Sequence, residues 1–260
     1  MVESGKIWAR AGAVASEAGA APFRPAARRS CGLELGAAVF LADASGALWH
    51  EDERTLIVAD LHLEKGSSLA RRGMMLPPYD TPATLAALAA VIAHYDPRCV
   101  ISLGDGFHDS DGAERLDAEC RTALRAMQAG RDWVWVAGNH DPAAPAGLPG
   151  IHVEACEVAG VKARHEPGSG LDDSAQGEIA GHLHPVARIV GRGGGVRRRC
   201  FATDERRCVL PAFGAYAGGL DLRAAAFSAV FDRARLKAIV IGEGRVHVFH
   251  GSAIHGQAGN

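Results

Sequence analysis

The sequence predicts an α/β protein in which two β-sheets pack face to face with helices on the outside. Three observations predict it. Residues 56–137 alternate apolar runs with amphipathic stretches in the order strand, helix, strand, helix, strand, which implies parallel pairing through crossover helices. Residues 151–250 switch to short strand-like runs divided by glycine-rich breaks. Each apolar run of the first half also stops at a polar cluster, as a buried strand feeding a loop does.

Residues 1–30, rich in Ala and Arg and interrupted by Glu17, Pro22 and Pro25, predict a poorly ordered extension rather than a signal peptide. A strand over 56–59 ends at Asp60. Leu85, Leu88, Ile92 and Tyr95 have helical spacing after a Thr-Pro start, which predicts a helix over 81–95. A strand over 99–103 runs into Gly104-Asp105-Gly106. Leu116, Cys120, Leu124 and Met127 share one helical face over 114–128, and a strand over 133–137 ends at Gly138-Asn139-His140-Asp141. Strands are expected within 151–164, 178–181, 186–190, 197–201, 207–210 and 236–250, with a helix within 221–232. The Gly/Arg-rich stretch 191–199 reads as a mobile surface loop. One domain over 31–252 and a tail over 253–260 complete the expected organisation.

Composition narrows the class. Of the 260 residues 48% are hydrophobic and 22% charged, which excludes a disordered chain, a collagen-like repeat and a coiled coil. The 28 basic and 30 acidic side chains nearly cancel, so net charge names no polyanionic partner. None of the six cysteines is spaced as C-x-x-C, which excludes a zinc ribbon or thioredoxin-type pair and fits reduced thiols in a cytoplasmic protein. No run of 18 apolar residues is present, so no membrane span is expected.

The chemistry sits at the strand ends, where open α/β sheets bind ligands. Asp60, His62, Asp105 and Asn139 end the first three strands. His165 ends the run VKARH, and His182 and His184 follow EIAG. Seven oxygen and imidazole donors without a thiolate exceed the needs of one tetrahedral zinc. They suit two borderline cations sharing a bridging carboxylate, with Mn²⁺, Fe²⁺ and Zn²⁺ as candidates. Glycines at 104, 138 and 181 allow close backbone approach.

These elements, DLH, GDGFHD, GNHD, RHE and GHLH, resemble the five signatures of the calcineurin-like metallophosphoesterases over roughly residues 50–250. The resemblance implies a four-layer α/β/β/α sandwich of two packed mixed sheets. It also implies one metal held by Asp60, His62 and His184, a second held by Asn139, His165 and His182, and Asp105 bridging them. His140 matches the family's catalytic histidine and His108 would position it, while Asp109 and Asp141 would make supporting hydrogen bonds. The chain lacks the Asp-Arg-Gly of the phosphoprotein phosphatases. His108, three residues after Asp105, is more similar to the double-strand-break repair nucleases. The stretches 59–73 and 210–221 resemble the bacterial ligase-associated DNA-damage-response endonucleases, which implies two Mn²⁺ ions and single-stranded or structured DNA as substrate. A DNA ligase and a helicase would be partners in the same pathway.

Basic residues gather at Lys65, Arg71 and Arg72 and again at Arg192, Arg197, Arg198, Arg199, Arg206 and Arg207. They suggest a track for a nucleic-acid backbone, or else a solvated face. Phe213 and Tyr216 are candidates for base stacking or for the core. The expected function is therefore a DNA endonuclease. The same chemistry on a cyclic nucleotide or another small phosphodiester is the alternative, and a binding scaffold without catalysis is disfavoured by the intact donor set.

Overall fold

The computed structural model describes residues 29–170, 176–191 and 194–251. Residues 1–28 of the extension expected over 1–30, Arg192 and the tail expected over 253–260 lie outside the described residues, and Ser30 already opens the first strand. The first sheet runs in chain order: β1 (Ser30–Leu35), β2 (Ala38–Asp43), β3 (Leu48–His50), β4 (Thr55–Val58), β5 (Cys99–Leu103), β6 (Asp132–Val136) and β7 (Ile151–Val153). Its first four strands pair antiparallel and β4 to β7 pair parallel. The parallel half is the part that the strand–helix alternation predicts.

The crossovers between these strands hold α1 (Lys65–Arg71), α2 (Asp80–Tyr95), α3 (Gly112–Arg115) and α4 (Ala118–Gln128). The helix expected over 114–128 is two helices. They break at Leu116-Asp117, where Asp117 caps α4 by accepting a hydrogen bond from the Cys120 N–H at 2.7 Å.

The second sheet holds β8 (Ala155–Val158), β9 (Val161–Arg164), β10 (Glu178–Ala180), β11 (Pro185–Gly191), β12 (Gly194–Thr203), β13 (Arg207–Val209), β14 (Leu220–Asp221), β15 (Lys237–Gly242) and β16 (Arg245–His250). The helix α5 (Ala225–Val230) lies outside it. Residues 194–199 correct one expectation. They belong to β12, which pairs antiparallel with β11 in register from Val186↔Arg199 to Gly191↔Gly194. The arginines of β12 alternate across the ribbon.

Side-chain alternation builds three cores. Ile57, Ile101 and Val134 face Ala163, Ile179, Phe201 and Ile239 between the sheets. Leu56, Val58, Val100 and Trp133 face Leu85, Leu88, Leu124 and Met127 of α2 and α4. Cys200, Ala202 and Val240 face Phe227 of α5. The result is the four-layer α/β/β/α sandwich. The parallel strands read as continuous apolar runs because both their faces are covered. Cys99, Cys120, Cys156, Cys200 and Cys208 are free thiols, and no described helix is long and apolar enough to cross a membrane.

Arg207 belongs to this framework and not to a basic track. It is 4% exposed and ion-paired with buried Glu178, which also pairs with Arg164. Arg207→Ala should leave Glu178 partly uncompensated and lower the urea midpoint by the equivalent of about 3 kcal/mol. An unchanged midpoint would contradict that placement.

Candidate metal centre

The site forms where β4, β5, β6, β9 and β10 end. The loops after β4 and β5 run side by side. Asp60 N–H donates to Gly104 O at 3.2 Å, His62 N–H to Asp105 O at 2.9 Å, and His108 N–H to Leu63 O at 2.9 Å. From the other side Gly214 N–H donates to Asp60 O at 3.1 Å.

This packing requires unusual backbone. Of the eleven described non-glycine residues with left-handed φ, five are predicted ligands: Asp60 (54°), His62 (43°), Asp105 (45°), His182 (67°) and His184 (45°). Each such conformation costs about 1–3 kcal/mol and persists only where its surroundings over-determine it. His182 and His184 therefore leave regular strand geometry, and each joins a different donor set. Two glycines are demanded by contact. A Cβ at Gly104 would lie 2.2 Å from His165 Nδ1, and one at Gly138 would lie 2.2 Å from Asp105 Oδ1.

All seven predicted ligands converge. In the first set His184 Nε2 is 3.2 Å from Asp60 Oδ1 and 3.2 Å from His62 Nε2. In the second, Asn139 Oδ1 is 3.0 Å from His165 Nε2 and 2.9 Å from His182 Nδ1, and those two nitrogens are 3.3 Å apart. The same oxygen of Asp105, Oδ2, lies 3.9 Å from His62 Nε2 and 3.4 Å from His165 Nε2. Asp60 is fully buried, and Asp105, His62 and His165 are nearly so.

The donor chemistry fits cations. The imidazole nitrogens that face each other across 3.2–3.3 Å can share a proton as an N–H···N hydrogen bond or, with both lone pairs free, hold a cation between them. The electrostatics agree. Burial pushes the His62 imidazole down to about 3, despite the nearby Asp105 carboxylate. Burial opposes ionisation of Asp105, but the hydrogen bond and charge of His165, the His140 N–H and His62 hold it down to about 2. Burial likewise disfavours a charged His165, yet Asp105 and Asp60 raise it to about 9. Two divalent cations therefore fit, one beside each set, with Asp105 facing both.

His140 sits at the rim with its side chain 40% exposed. Its N–H donates to Asp105 Oδ1 at 2.9 Å and its Nδ1–H donates to His108 O at 2.9 Å, so Nε2 faces the centre, 4.0 Å from Asp105 Oδ2. His108 stacks on it at 5.0 Å between ring centroids. Burial, then the charge of Lys65, with His140 and Arg72 adding, keeps His108 neutral, down to about 4. Asp109 is held bidentately by Arg115 at 2.8 and 2.9 Å, and buried Asp141 accepts from Phe107 N–H at 2.9 Å. Both therefore serve as supports.

The predicted basic residues divide. Lys65 opens α1 and the exposed Arg72 follows its last residue, while Arg71 pairs with Asp111 at 3.2 Å. Arg197 and Arg199 share one face of β12, and Arg198 shares the other with Cys200. Arg199 donates to Ala212 O at 2.8 Å inside the fold, whereas Arg197 is exposed and donates to Gly219 O at 3.1 Å. Phe213 is in the core and Tyr216 is half-exposed.

Sequence reasoning missed the polar clamp around α1. Glu64 N–H donates to Thr81 Oγ1 at 2.8 Å, and Gly66 N–H to buried Asp80 Oδ2 at 2.8 Å. Its only signal was the run of small and polar residues after the first motif.

A sequence profile of the calcineurin-like phosphoesterases matches residues 53–197. Among solved structures, the Pseudomonas putida nuclease MPE is 26% identical, with a TM-score of 0.64 over 85% of this chain and 100% of that one. Yfce, a phosphoesterase from E. coli, is 16% identical, with a TM-score of 0.39 over 77% of this chain and 98% of that one. No curated protein matches the chain.

Metal analysis of manganese-loaded protein should approach two ions per chain. Asp105→Ala should hold fewer than one, since it removes the carboxylate that both sets face. Gly104→Ala should lower the content by displacing His165. A wild-type content that stays at one would contradict the dinuclear reading.

Proposed function

The chain belongs to the calcineurin-like phosphoesterase family, and from that premise we propose that it is a dinuclear metal-dependent phosphodiesterase that cuts DNA internally. The family makes it a metal-dependent phosphoester hydrolase. The observation that carries the finer reading is the convergence of two donor sets on Asp105 Oδ2, with His140 Nε2 at the open rim of the same carboxylate. Similarity to a nuclease over that protein's whole length supports a nucleic acid as the substrate, and the resemblance of 59–73 and 210–221 narrows it to DNA. Lys65 and the exposed Arg72, Arg197 and Arg198 are cations available to a phosphate backbone.

Two divalent cations, Mn²⁺ first with Fe²⁺ or Zn²⁺ as alternatives, would supply Lewis-acid polarisation of a phosphoryl oxygen and acidify a water for in-line attack. Asp60, His62 and His184 hold one side of the centre, Asn139, His165 and His182 the other, and Asp105 fixes their spacing. His140 is oriented by two backbone-linked hydrogen bonds. With Nδ1–H committed to His108 O, Nε2 is the nitrogen turned toward a departing oxygen, and the imidazolium form would deliver its proton from there. The resemblance of 59–73 and 210–221 extends the proposal to a cytoplasmic role in DNA repair beside a ligase and a helicase.

Circular single-stranded DNA should be linearised by the manganese-loaded protein, since circles have no ends for an exonuclease. His140→Ala should retain both metals and lose about 10²–10⁴ in turnover, with a smaller loss on a diester carrying an activated leaving group. Hydrolysis of small phosphodiesters with intact circles would instead favour the small-substrate enzyme. Loss of metal in His140→Ala would make His140 a ligand.

A further inference from the structure

Residues 71–79 are nine consecutive exposed residues joining α1 to α2. Four of the nine exposed large hydrophobic residues described in the chain fall here: Met74 (52%), Met75 (83%), Leu76 (42%) and Tyr79 (68%). Of the other five, Val39 and Val248 line one cavity between β2 and β16, and Ile151, Val196 and Leu220 lie elsewhere. A cluster of this kind on a water-exposed segment marks a surface with an occupant.

The strip is held in shape. The clamps of Thr81 on Glu64 and of Asp80 on Gly66 tie the start of α2, where the strip ends, to the start of α1. Met74 N–H donates to Leu69 O at 3.0 Å and Tyr79 N–H to Pro77 O at 2.8 Å. Tyr216 donates its hydroxyl to Pro77 O at 3.2 Å, while Ala215 N–H donates to Thr84 Oγ1 at 3.0 Å. Pro77 and Pro78 remove backbone freedom besides.

It is also tied to the metal centre by two short connections. Arg71, at its start, pairs with Asp111 at 3.2 Å, three residues beyond His108, and Lys65 lies two residues beyond Leu63, whose carbonyl accepts from His108 N–H at 2.9 Å. Tyr216 lies two residues beyond Gly214, which bonds Asp60 O. Flat or polarisable apolar faces thus adjoin two cations at the edge of a phosphodiester site. An unpaired polynucleotide offers the complement, flat base faces carried on a string of phosphates. A duplex hides those faces, and an acidic peptide offers the charge with few of them.

We infer that residues 74–79 are a stacking platform for unpaired bases next to the scissile phosphate, with Tyr79 and Met75 under the bases and Arg72 and Lys65 on the adjoining phosphates. This rests on the nuclease reading.

The test is anisotropy of a labelled, cleavage-resistant phosphorothioate oligothymidylate with manganese-loaded full-length protein. Tyr79→Ala should weaken binding about 10-fold or more. Tyr79→Phe should bind as wild type, and Tyr79→Leu should bind nearly as poorly as Tyr79→Ala, since stacking needs the ring. None should change the salt slope, whereas Arg72→Ala should flatten it by about 0.7. A matched duplex should be nearly indifferent to Tyr79→Ala. Unaltered strand binding by Tyr79→Ala overturns the platform alone. A wild type that binds no strand while hydrolysing a small phosphodiester overturns the nuclease reading with it. A Tyr79→Ala protein that binds strands normally but loses self-association would make the strip a contact between copies of this chain, which also overturns the platform.

Discussion

The constraint on which the rest of the site depends is the side-by-side run of the loops that end β4 and β5. Their backbone hydrogen bonds turn Asp60, His62 and Asp105 into left-handed conformations and point their donors at one small volume. Each residue would leave that conformation if free, so the restraint must come from neighbours. It comes from β4 and β5, buried on both faces, and from residues 212–214, which press on Asp60 from the opposite side. A substitution in these supports therefore reaches the centre without touching a ligand.

Asp105 carries the consequence. One oxygen is committed to the His140 N–H, which leaves the other to both donor sets. Orientation of His140 and spacing of the cation sites are thus two results of one carboxylate, and they are inseparable by mutation at Asp105. Substitution at His140 separates them, because its Nε2 stands at the rim.

Much of this was legible in the sequence, for definite reasons. Parallel strands covered on both faces leave unbroken apolar runs, so β4, β5 and β6 were visible, and polar residues placed at their ends belong to the crevice. The glycines at 104 and 138 pointed to close approach, which the 2.2 Å clearances bear out. The meander β1–β3 was not resolved into strands, because its register comes from pairing with β4 and not from local pattern. The glycine and arginine content of 191–199 reads as a loop and masks an alternation over 194–199 that only the β11 partner reveals. The same alternation splits Arg197 from Arg198, so three adjacent arginines do not make one surface. Neither the clamp of Asp80 on Gly66 nor the exposed strip it steadies has a local signature. Both depend on α1 and α2 meeting in space.

Anomalous diffraction from crystals of the manganese-loaded protein tests the central claim most directly. Two peaks about 3.5–4 Å apart are expected, with the Asp105 carboxylate between them. Asp60, His62 and His184 should surround one peak, and Asn139, His165 and His182 the other. A single peak, or a second one away from Asp105, would contradict the account.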